Sequence, residues 1–165
     1  MIEWLELATL SLFALLLLAT IVRGAPFVPS SSRNVEKMLA LAKAKPGEKA
    51  ADLGSGDGKI VIALARAGVQ AHGYEINPLL VWWSRRNIRK AELSDKAFIH
   101  WKDFWRADLR EYDVVILFGT NRIMRGFEKK LKKELQPGAR VVSNIFRLPT
   151  WLDVAHDGSV FLYVR

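Results

Sequence analysis

Residues Lys49–Gly58 read KAADLGSGDG, and the fold is inferred first from them. A short apolar run that fits a β-strand includes Asp52 and passes into a glycine-rich turn, and an apolar helix pattern over 59–67 follows at once. A strand, a glycine loop and a helix in this order place backbone N–H groups and a helix N-terminus against a nucleotide-like ligand. The glycines permit that approach because they carry no Cβ. This part of the sequence therefore predicts an α/β fold with a ligand site at the turn.

The spacing of the glycines separates this turn from the dinucleotide-binding fingerprint. Gly54, Gly56 and Gly58 give the pattern Gly-x-Gly-x-Gly, whereas the dinucleotide pattern would need its third glycine where Lys59 stands. Glu75 follows the second predicted strand, at the distance from the loop where an acid accepts hydrogen bonds from both hydroxyls of a ribose. The alternative is a plain strand-to-helix turn with a surface glutamate. The glycine loop and Glu75 together favour a site for a ligand that contains a nucleoside.

The remaining pattern predicts alternating strands and helices followed by a hairpin. The nearly continuous apolar run 112–118 is typical of a central parallel strand, and Asp157-Gly158 between two alternating runs indicates a hairpin. The predicted fold is a Rossmann-like α/β fold, with a central, mostly parallel sheet and a C-terminal antiparallel hairpin. The predicted helices are 34–44, 59–67, 77–93 and one containing 123–135, and the predicted strands are 50–53, 69–74, 97–101, 112–118, 139–146, 151–155 and 159–164.

Composition limits the chemistry and the partners. The 165 residues suit one domain with a proper core. The absence of cysteine excludes disulfides, thiolate metal sites and a cysteine nucleophile. His72, His100 and His156 do not have the spacing of metal ligands, so no metal is expected. The formal net charge of +8 indicates a nucleic acid, an anionic membrane surface or an acidic protein as partner.

The N-terminal region contains an apolar run that is long enough to span a membrane. Leu7–Val22 carries no charge, and the 18 residues from Leu5 to Val22 would extend about 27 Å as a helix. A secretory signal peptide is disfavoured because Glu3 and Glu6 stand where its basic residues are expected. A core helix would normally keep a polar face. We expect a transmembrane anchor over 1–23, a linker and N-terminal helix covering the ligand over 24–48, and the α/β domain over 49–165.

Charge sets the expected orientation of this anchor. Arg23 and the basic region beyond it place the C-terminal side in the cytoplasm by the positive-inside rule. The expected protein is therefore a single-pass membrane protein with its α/β domain on the cytoplasmic side. Two basic clusters on predicted helices either rest against anionic headgroups or are solvated faces. They are Arg85, Arg86, Arg89 and Lys90, and Arg125, Lys129, Lys130, Lys132 and Lys133.

Two further strand ends carry candidate site residues. Asp103 and Phe104 follow the third strand. There an acid can accept a hydrogen bond from the amino group of an adenine, and an apolar neighbour can cover the adenine ring. The alternative is that Asp103 is a turn aspartate beside core aromatic residues. Thr120 and Asn121 follow the fourth strand at its carboxyl end, which is where ligands bind in open α/β sheets.

Several motifs together resemble a known family. They are PFVPSS at 26–31, DLGSGDGKIV at 52–61, GYEINPLLV at 73–81, DFW at 103–105 and ELQPGARVVSNIFRLPTW at 134–151. This set resembles the membrane-anchored protein-lysine N-methyltransferases, class I enzymes with a seven-stranded sheet, whose mitochondrial members modify the adenine nucleotide translocase and the ATP synthase c subunit. The helix that usually precedes the hairpin is missing from this chain. The resemblance implies that 49–165 is a methyltransferase domain that uses S-adenosyl-L-methionine.

The resemblance also implies roles for individual residues. PFVPSS would fold over the cofactor and help to form a channel for the substrate lysine. The implied cofactor-binding residues are Asp52, Gly54, Ser55, Gly56, Gly58, Glu75, Asn77, Asp103 and Phe104. The candidates for the substrate channel are Phe27, Pro29, Phe118, Thr120, Asn121 and Trp151, and no catalytic residue is assigned.

Methyl transfer to an amine needs alignment and a neutral nucleophile more than a dedicated base. The predicted function is S-adenosylmethionine-dependent methylation of a lysine on a membrane-associated protein. A nucleic-acid methyltransferase is disfavoured because Gly119-Thr120-Asn121 stands where the Asn/Asp-Pro-Pro-aromatic motif of base-amine methylation is expected, and because there is no cysteine for C5-pyrimidine chemistry. A lipid or quinone methyltransferase and a catalytically silent membrane-surface module stay open as alternatives.

Overall fold

The structure is a computed structural model that describes residues 4, 6–9, 11 and 31–165. Seven strands form one sheet, with helices on both of its faces. The helices within residues 31–165 are α1 (Ser32–Ala42), α2 (Lys59–Arg66), α3 (Pro78–Lys90) and α4 (Asn121–Glu134), with a 3-10 turn at Phe104–Arg106. The strands are β1 (Lys49–Leu53), β2 (Gln70–Glu75), β3 (Ala97–Trp101), β4 (Val114–Phe118), β5 (Arg140–Asn144), β6 (Ala155–Asp157) and β7 (Val160–Val164).

The sheet confirms the predicted topology. Its strand order is β3-β2-β1-β4-β5-β7-β6. The first five strands in this order are parallel, and β7 is antiparallel to both of its neighbours. The chain leaves β1 toward β2 and later returns to β4 on the other side of β1, so the strand order reverses between β1 and β4. Ligands of open α/β sheets bind beyond the carboxyl ends of the strands at such a reversal.

The two faces of the sheet are covered by different helices. On one face, α1, α2 and α3 bury apolar side chains such as Met38, Val61 and Ile88 in one core cluster with alternate strand residues. On the other face, α4 buries Phe127 and Leu131 in a second cluster that includes Tyr163. The central strands β1 and β4 are buried on both faces, which explains their nearly continuous apolar sequence.

Two predicted strands differ from the structure. The predicted strand 139–146 ends at Asn144, because Ile145 takes a positive φ of 73° that ends the ladder. The predicted hairpin strand 151–155 overlaps the observed strand Ala155–Asp157 only at Ala155, so the strand lies later in the chain than predicted. The third β/α unit has no α-helix beyond the 3-10 turn. Its connection is held extended against α4, where Lys130 Nζ donates to Ala107 O at 2.6 Å and Leu109 N donates to Glu134 Oε2 at 3.1 Å.

Helix α1 runs antiparallel to β5 and begins at the carboxyl edge of the sheet. Ser31 caps it by accepting from Asn34 N at 3.2 Å, and Asn34 Nδ2 donates to Asn144 Oδ1 at 3.4 Å, at the end of β5. At its other end, Arg140 Nη1 donates to Ala42 O at 2.8 Å. Within the described ranges, no helix is both long enough and apolar enough to cross a membrane. The predicted anchor lies almost wholly outside those ranges and stays a prediction.

Candidate cofactor and substrate site

The loop after β1 is held on the end of β2 by its own backbone. Gly54 N and Ser55 N both donate to Tyr74 O, at 2.9 and 3.1 Å. Gly54, Gly56 and Gly58 have positive φ values of 91°, 52° and 80°, which glycine adopts without steric cost. A Cβ added to Gly54 would meet no atom within 4 Å, so open space lies beside the loop.

Glu75 joins the loop to the start of α3. Its Oε2 accepts from Gly56 N at 3.0 Å, and its Oε1 accepts from Ile76 N at 2.8 Å and from Asn77 N at 2.7 Å. Asn77 caps α3 by accepting from Leu79 N at 3.0 Å. The structure therefore brings Gly56, Glu75 and Asn77 into one hydrogen-bonded group, as expected for a site that combines the loop and the acid.

Gly73 is a site residue that the sequence analysis missed. It lies inside β2, and a Cβ added there would lie 2.6 Å from Ser55 Cβ and 2.7 Å from Ile99 Cδ1. Only glycine lets the loop approach the strand this closely. A signal was present, because an isolated glycine inside a predicted strand indicates a bulge or a close backbone approach.

Helix α3 supports the same loop from the side. A Cβ on Gly58 would lie 2.9 Å from Ser84 Cβ, so the two elements are in tight contact. Asn87 Nδ2 donates to Asp57 O at 3.1 Å. These two contacts fix the position of the loop and of the N-terminus of α2 that follows it.

Two buried polar atoms beneath the loop lack partners. Asp52 Oδ2 and Ser55 Oγ are buried and make no hydrogen bond within the described part of the chain. Burial, with the nearby carboxylates of Glu75 and Asp57, raises the pKa of Asp52 to about 8. Buried polar groups are normally satisfied, and a group of acids suits a cation. The residues present therefore fit S-adenosylmethionine, which carries a sulfonium and an ammonium group.

Asp103 and Phe104 lie at the same edge of the sheet, beyond β3. Asp103 Oδ1 accepts from Trp105 N at 3.0 Å and so caps the 3-10 turn. The Phe104 ring lies 5.1 Å from the Phe127 ring, and Trp105 stacks on Phe127 at 4.9 Å. These aromatic contacts fix the turn on α4. The adenine contact of Asp103 stays a prediction, and the structure places its half-buried carboxylate one strand beyond Glu75.

The substrate-channel candidates fall into three groups. Phe118 lies at the end of β4, with its ring 6.1 Å from Phe146. Thr120 is the N-cap of α4 and makes no side-chain capping bond, and Asn121 begins the helix. These residues share the carboxyl edge with the loop. Phe27 and Pro29 lie outside the described residues.

Trp151 lies elsewhere. Its ring packs 5.8 Å from Tyr163, and Lys132 Nζ lies 5.5 Å from its centroid. Lys132 is eleven residues beyond Asn121 in α4, a rise of about 16 Å. The structure therefore does not bring Trp151 together with Thr120 and Asn121.

The segment that carries Trp151 is fixed on α4 by a buried acid. Glu128 accepts from Thr150 N at 2.8 Å, from Lys132 Nζ at 2.6 Å and from the Thr150 hydroxyl. Although burial opposes it, the hydrogen bonds from Lys132 and Thr150 lower the pKa of Glu128 to about 2. The sequence analysis missed this contact because it joins side chains 22 residues apart.

A strained turn ends β5 beside the channel candidates. Ile145 has φ 73°, and Phe146 N donates to Asn144 O at 3.0 Å, which makes a γ-turn of the rare, positive-φ kind. Ile145 N donates to Ser159 O at 2.7 Å and holds the turn in place. A β-branched residue in this region costs on the order of 1–3 kcal/mol. The turn presents Phe146 to Phe118.

Ile145→Gly is expected to raise the free energy of unfolding by about 1 kcal/mol relative to Ile145→Ala, because glycine adopts the positive φ and alanine keeps the strain. Ile145 is 45% exposed, so both variants lose little packing. Denaturant midpoints of the two variants measure the difference. A glycine variant less stable than the alanine variant would contradict the strain argument.

The strand order, the glycine loop after β1 and the acid after β2 define a class I, S-adenosylmethionine-dependent methyltransferase fold. The family model of the ANTKMT methyltransferase domain matches residues 52–155, and the chain belongs to that family. The predicted resemblance and the predicted cofactor, S-adenosyl-L-methionine, are confirmed.

Two curated relatives and one solved structure show the range of the likeness. The chain is 45% identical to the adenine nucleotide translocase lysine N-methyltransferase of Mus musculus, over 81% of this chain and 58% of that protein. It is 43% identical to the lysine N-methyltransferase of the ATP synthase c subunit from Rattus norvegicus, over 76% of this chain and 58% of that protein. The chain thus spans little more than half the length of these relatives.

The solved structure is an RNA methyltransferase from Salinibacter ruber in complex with S-adenosyl-L-homocysteine. It superposes with a TM-score of 0.79 at 33% identity, over 83% of this chain and 93% of that one.

Proposed function

We propose that the chain is an S-adenosylmethionine-dependent protein-lysine N-methyltransferase that acts at a membrane surface. The observation that carries the proposal is the bonding of Gly56 N to Glu75 Oε2 at 3.0 Å, because it joins the two parts of a nucleoside site in a chain of this family. The names of the two curated relatives support lysine as the acceptor.

Each group of residues at the carboxyl edge of the sheet has a role in this proposal. Glu75 and the loop hold the adenosine, Asp103 and Phe104 flank the adenine, and Asp52 with Ser55 lies beneath the charged end. When bound, S-adenosylmethionine supplies an activated methyl group for in-line attack by an amine. A lysine must lose its proton first, which costs roughly 4–5 kcal/mol at neutral pH. Phe118 and Phe146 favour the neutral amine by excluding water, and Thr120 or Asn121 orients it.

The site of action follows from the sequence of the N-terminal region. The uncharged run Leu7–Val22 followed by Arg23 supports a single-pass anchor with the domain on the cytoplasmic side. The stretch PFVPSS separates this run from Ser32, where α1 begins at the carboxyl edge. A tether that joins the fold at this edge would keep the site close to the bilayer, where a membrane protein presents its lysines.

Glu75→Ala is expected to weaken binding of S-adenosylhomocysteine by about 100-fold or more, because the variant loses charge-assisted hydrogen bonds to the ligand and the acceptor of Gly56 N. Isothermal calorimetry measures the affinity, and circular dichroism checks the fold. Glu111→Ala is the control, since Glu111 is exposed and pairs with Lys49 at the other edge of the sheet. Retained affinity in Glu75→Ala would overturn the assignment of the site.

A methylation assay tests the acceptor. The full chain is incubated with membrane fractions and radiolabelled S-adenosylmethionine, and label is sought in protein, lipid and RNA. The proposal expects label in protein bands, lost in Glu75→Ala, and mass spectrometry then locates the modified lysine. RNA is the second candidate for the methyl acceptor, because the Salinibacter ruber relative is named an RNA methyltransferase and this chain has a net charge of +8. Label in RNA or in the lipid extract alone would overturn the lysine assignment.

A further inference from the structure

Helix α3 exposes large apolar side chains that the cofactor site does not use. Leu79 is 60% exposed, Trp82 62% and Trp83 47%, although the opposite side of the same helix is buried. Side chains three and four positions apart lie on one side of a helix, so these three form a single apolar surface. An exposed apolar patch with a polar rim marks an interaction site.

The same stripe becomes cationic in the second half of the helix. Arg86, Arg89 and Lys90 are exposed and continue the line of Leu79, Trp82 and Trp83 at helical spacing. Arg85 does not belong to this line of side chains, since its guanidinium donates to Ile99 O at 2.7 Å. The nearest exposed acids beyond the helix, Glu92 and Asp95, follow its C-terminus and do not interrupt the stripe.

A further tryptophan extends the apolar end. Trp101 ends β3, is 66% exposed and donates its Nε1 to Ile76 O at 3.0 Å, three residues before Leu79. The apolar half of the stripe therefore lies at the carboxyl edge of the sheet, next to Glu75. Lys102 and Arg106 are exposed just beyond it.

We propose that this surface, formed by Leu79, Trp82, Trp83, Trp101, Arg86, Arg89 and Lys90 and called here the α3 stripe, docks on an anionic lipid bilayer. Its tryptophans and leucine would enter the headgroup region and its cations would pair with lipid phosphates. The proposal deepens the proposed function, on which it rests for the membrane location of the enzyme.

The composition of the stripe favours a bilayer over other partners. Tryptophan prefers the membrane–water interface, and a helix face with aromatic residues beside arginine and lysine fits an interfacial surface. Each cation near an anionic surface adds to the attraction. The basic face of α4 lacks this composition. Its exposed Arg125, Lys129 and Lys133 have no exposed tryptophan or leucine among them.

The place where the predicted anchor joins the domain also favours a lipid bilayer as the partner of the α3 stripe. Helix α1 begins at the carboxyl end of β5, and α3 begins at the carboxyl end of β2, on the same face of the sheet. Three strand spacings, about 14 Å, separate these ends. A bilayer that holds the predicted anchor would therefore lie within reach of the α3 stripe, and with the stripe flat on the membrane the substrate edge would lie beside the bilayer surface.

A fluorescent reporter on Leu79 tests the docking. The chain has no cysteine, so Leu79→Cys in the full chain can be labelled with a polarity-sensitive dye. Leu152→Cys is the matched control, because Leu152 is an 86% exposed leucine outside the stripe. Each protein is assembled in nanodiscs of phosphatidylcholine alone or with roughly one-third phosphatidylglycerol, with nitroxide lipids as quenchers.

In anionic discs the Leu79 dye is expected to shift to the blue and to be quenched at least about threefold more than the Leu152 dye, with much of the difference lost in high salt. Charge reversal at Arg86, Arg89 and Lys90 is expected to remove the difference. Reversal at Arg125, Lys129 and Lys133 on α4 is expected to leave it. The reporter reads contact of α3 itself, whether or not residues 1–23 insert.

Equal quenching at Leu79 and Leu152 would overturn the docking, as would protection of the Leu79 dye by an RNA oligonucleotide and not by anionic lipid. Binding of S-adenosylhomocysteine is measured on the same samples. Failed docking with intact cofactor binding leaves the proposed function standing, whereas lost cofactor binding with intact docking rejects the enzyme assignment and not the stripe.

Discussion

Gly73→Ala is expected to abolish measurable binding of S-adenosylhomocysteine and to lower the free energy of unfolding by about 1–3 kcal/mol. The new Cβ would lie 2.6 Å from Ser55 Cβ and Oγ and 2.7 Å from Ile99 Cδ1, so either the loop or the strand must move. Movement of Ser55 breaks the bonds of Gly54 N and Ser55 N to Tyr74 O and separates Gly56 N from Glu75. Calorimetry gives the affinity and urea denaturation gives the stability.

Two compensating substitutions, added to Gly73→Ala, separate this steric effect from general unfolding. Ser55→Gly removes the Cβ and hydroxyl in the way, and Ile99→Val removes the Cδ1 atom. The triple variant is expected to recover at least about tenfold in affinity over Gly73→Ala. His72→Ala, one residue earlier in β2, is the control and is expected to keep the affinity of the parent. No recovery in the triple variant would mean that Gly73 acts through something other than contact with Ser55.

The cofactor half of the site was predictable because it depends on local sequence. A glycine loop between an apolar strand and an apolar helix has few alternative structures, and the loop fixes the place of Glu75 through strand spacing. The mostly parallel sheet with its antiparallel hairpin followed from the same pattern, since β/α units with a final hairpin leave few topologies. The cofactor-binding role of Asp52 stays a prediction, and its burial and its raised pKa needed the packed structure.

The substrate half was less predictable because it depends on contacts between distant segments. The position of Trp151 follows from the bonds of Glu128 to Thr150, which no local pattern indicates. The positive φ of Ile145 contradicts the preference of a β-branched residue, so the sequence continued the strand to Phe146. The 3-10 turn after β3 depends on packing of Trp105 against Gly126 and Phe127, where a Cβ at Gly126 would lie 2.9 Å from the ring.

Asp52 links the cofactor site to the pH dependence of folding. Asp52 is 3% exposed, and burial with the neighbouring carboxylates of Glu75 and Asp57 raises its pKa to about 8 from an ordinary value near 4. The unfolded chain therefore releases this proton at lower pH than the folded chain. Because the raised pKa disfavours the ionised folded form, Asp52 lowers stability progressively as the pH rises from about 4 to about 8, and no further above that.

Asp52→Asn is expected to remove this loss and to raise the free energy of unfolding at pH 7.5 by on the order of 3 kcal/mol, with little change near pH 4. The same variant is expected to bind S-adenosylmethionine at least about tenfold more weakly, because it lacks the negative charge that a bound cation would induce at Asp52. Urea denaturation across pH 4–9 measures the first effect. Calorimetry in two buffers of different ionisation enthalpy measures the second and counts the protons released.

Asp95→Asn, at an exposed position, is the control. A wild-type stability that keeps a constant offset from that of Asp52→Asn across pH 4–8 would show that Asp52 is already ionised in the folded protein, and the acid beneath the loop would then be an ordinary charged group.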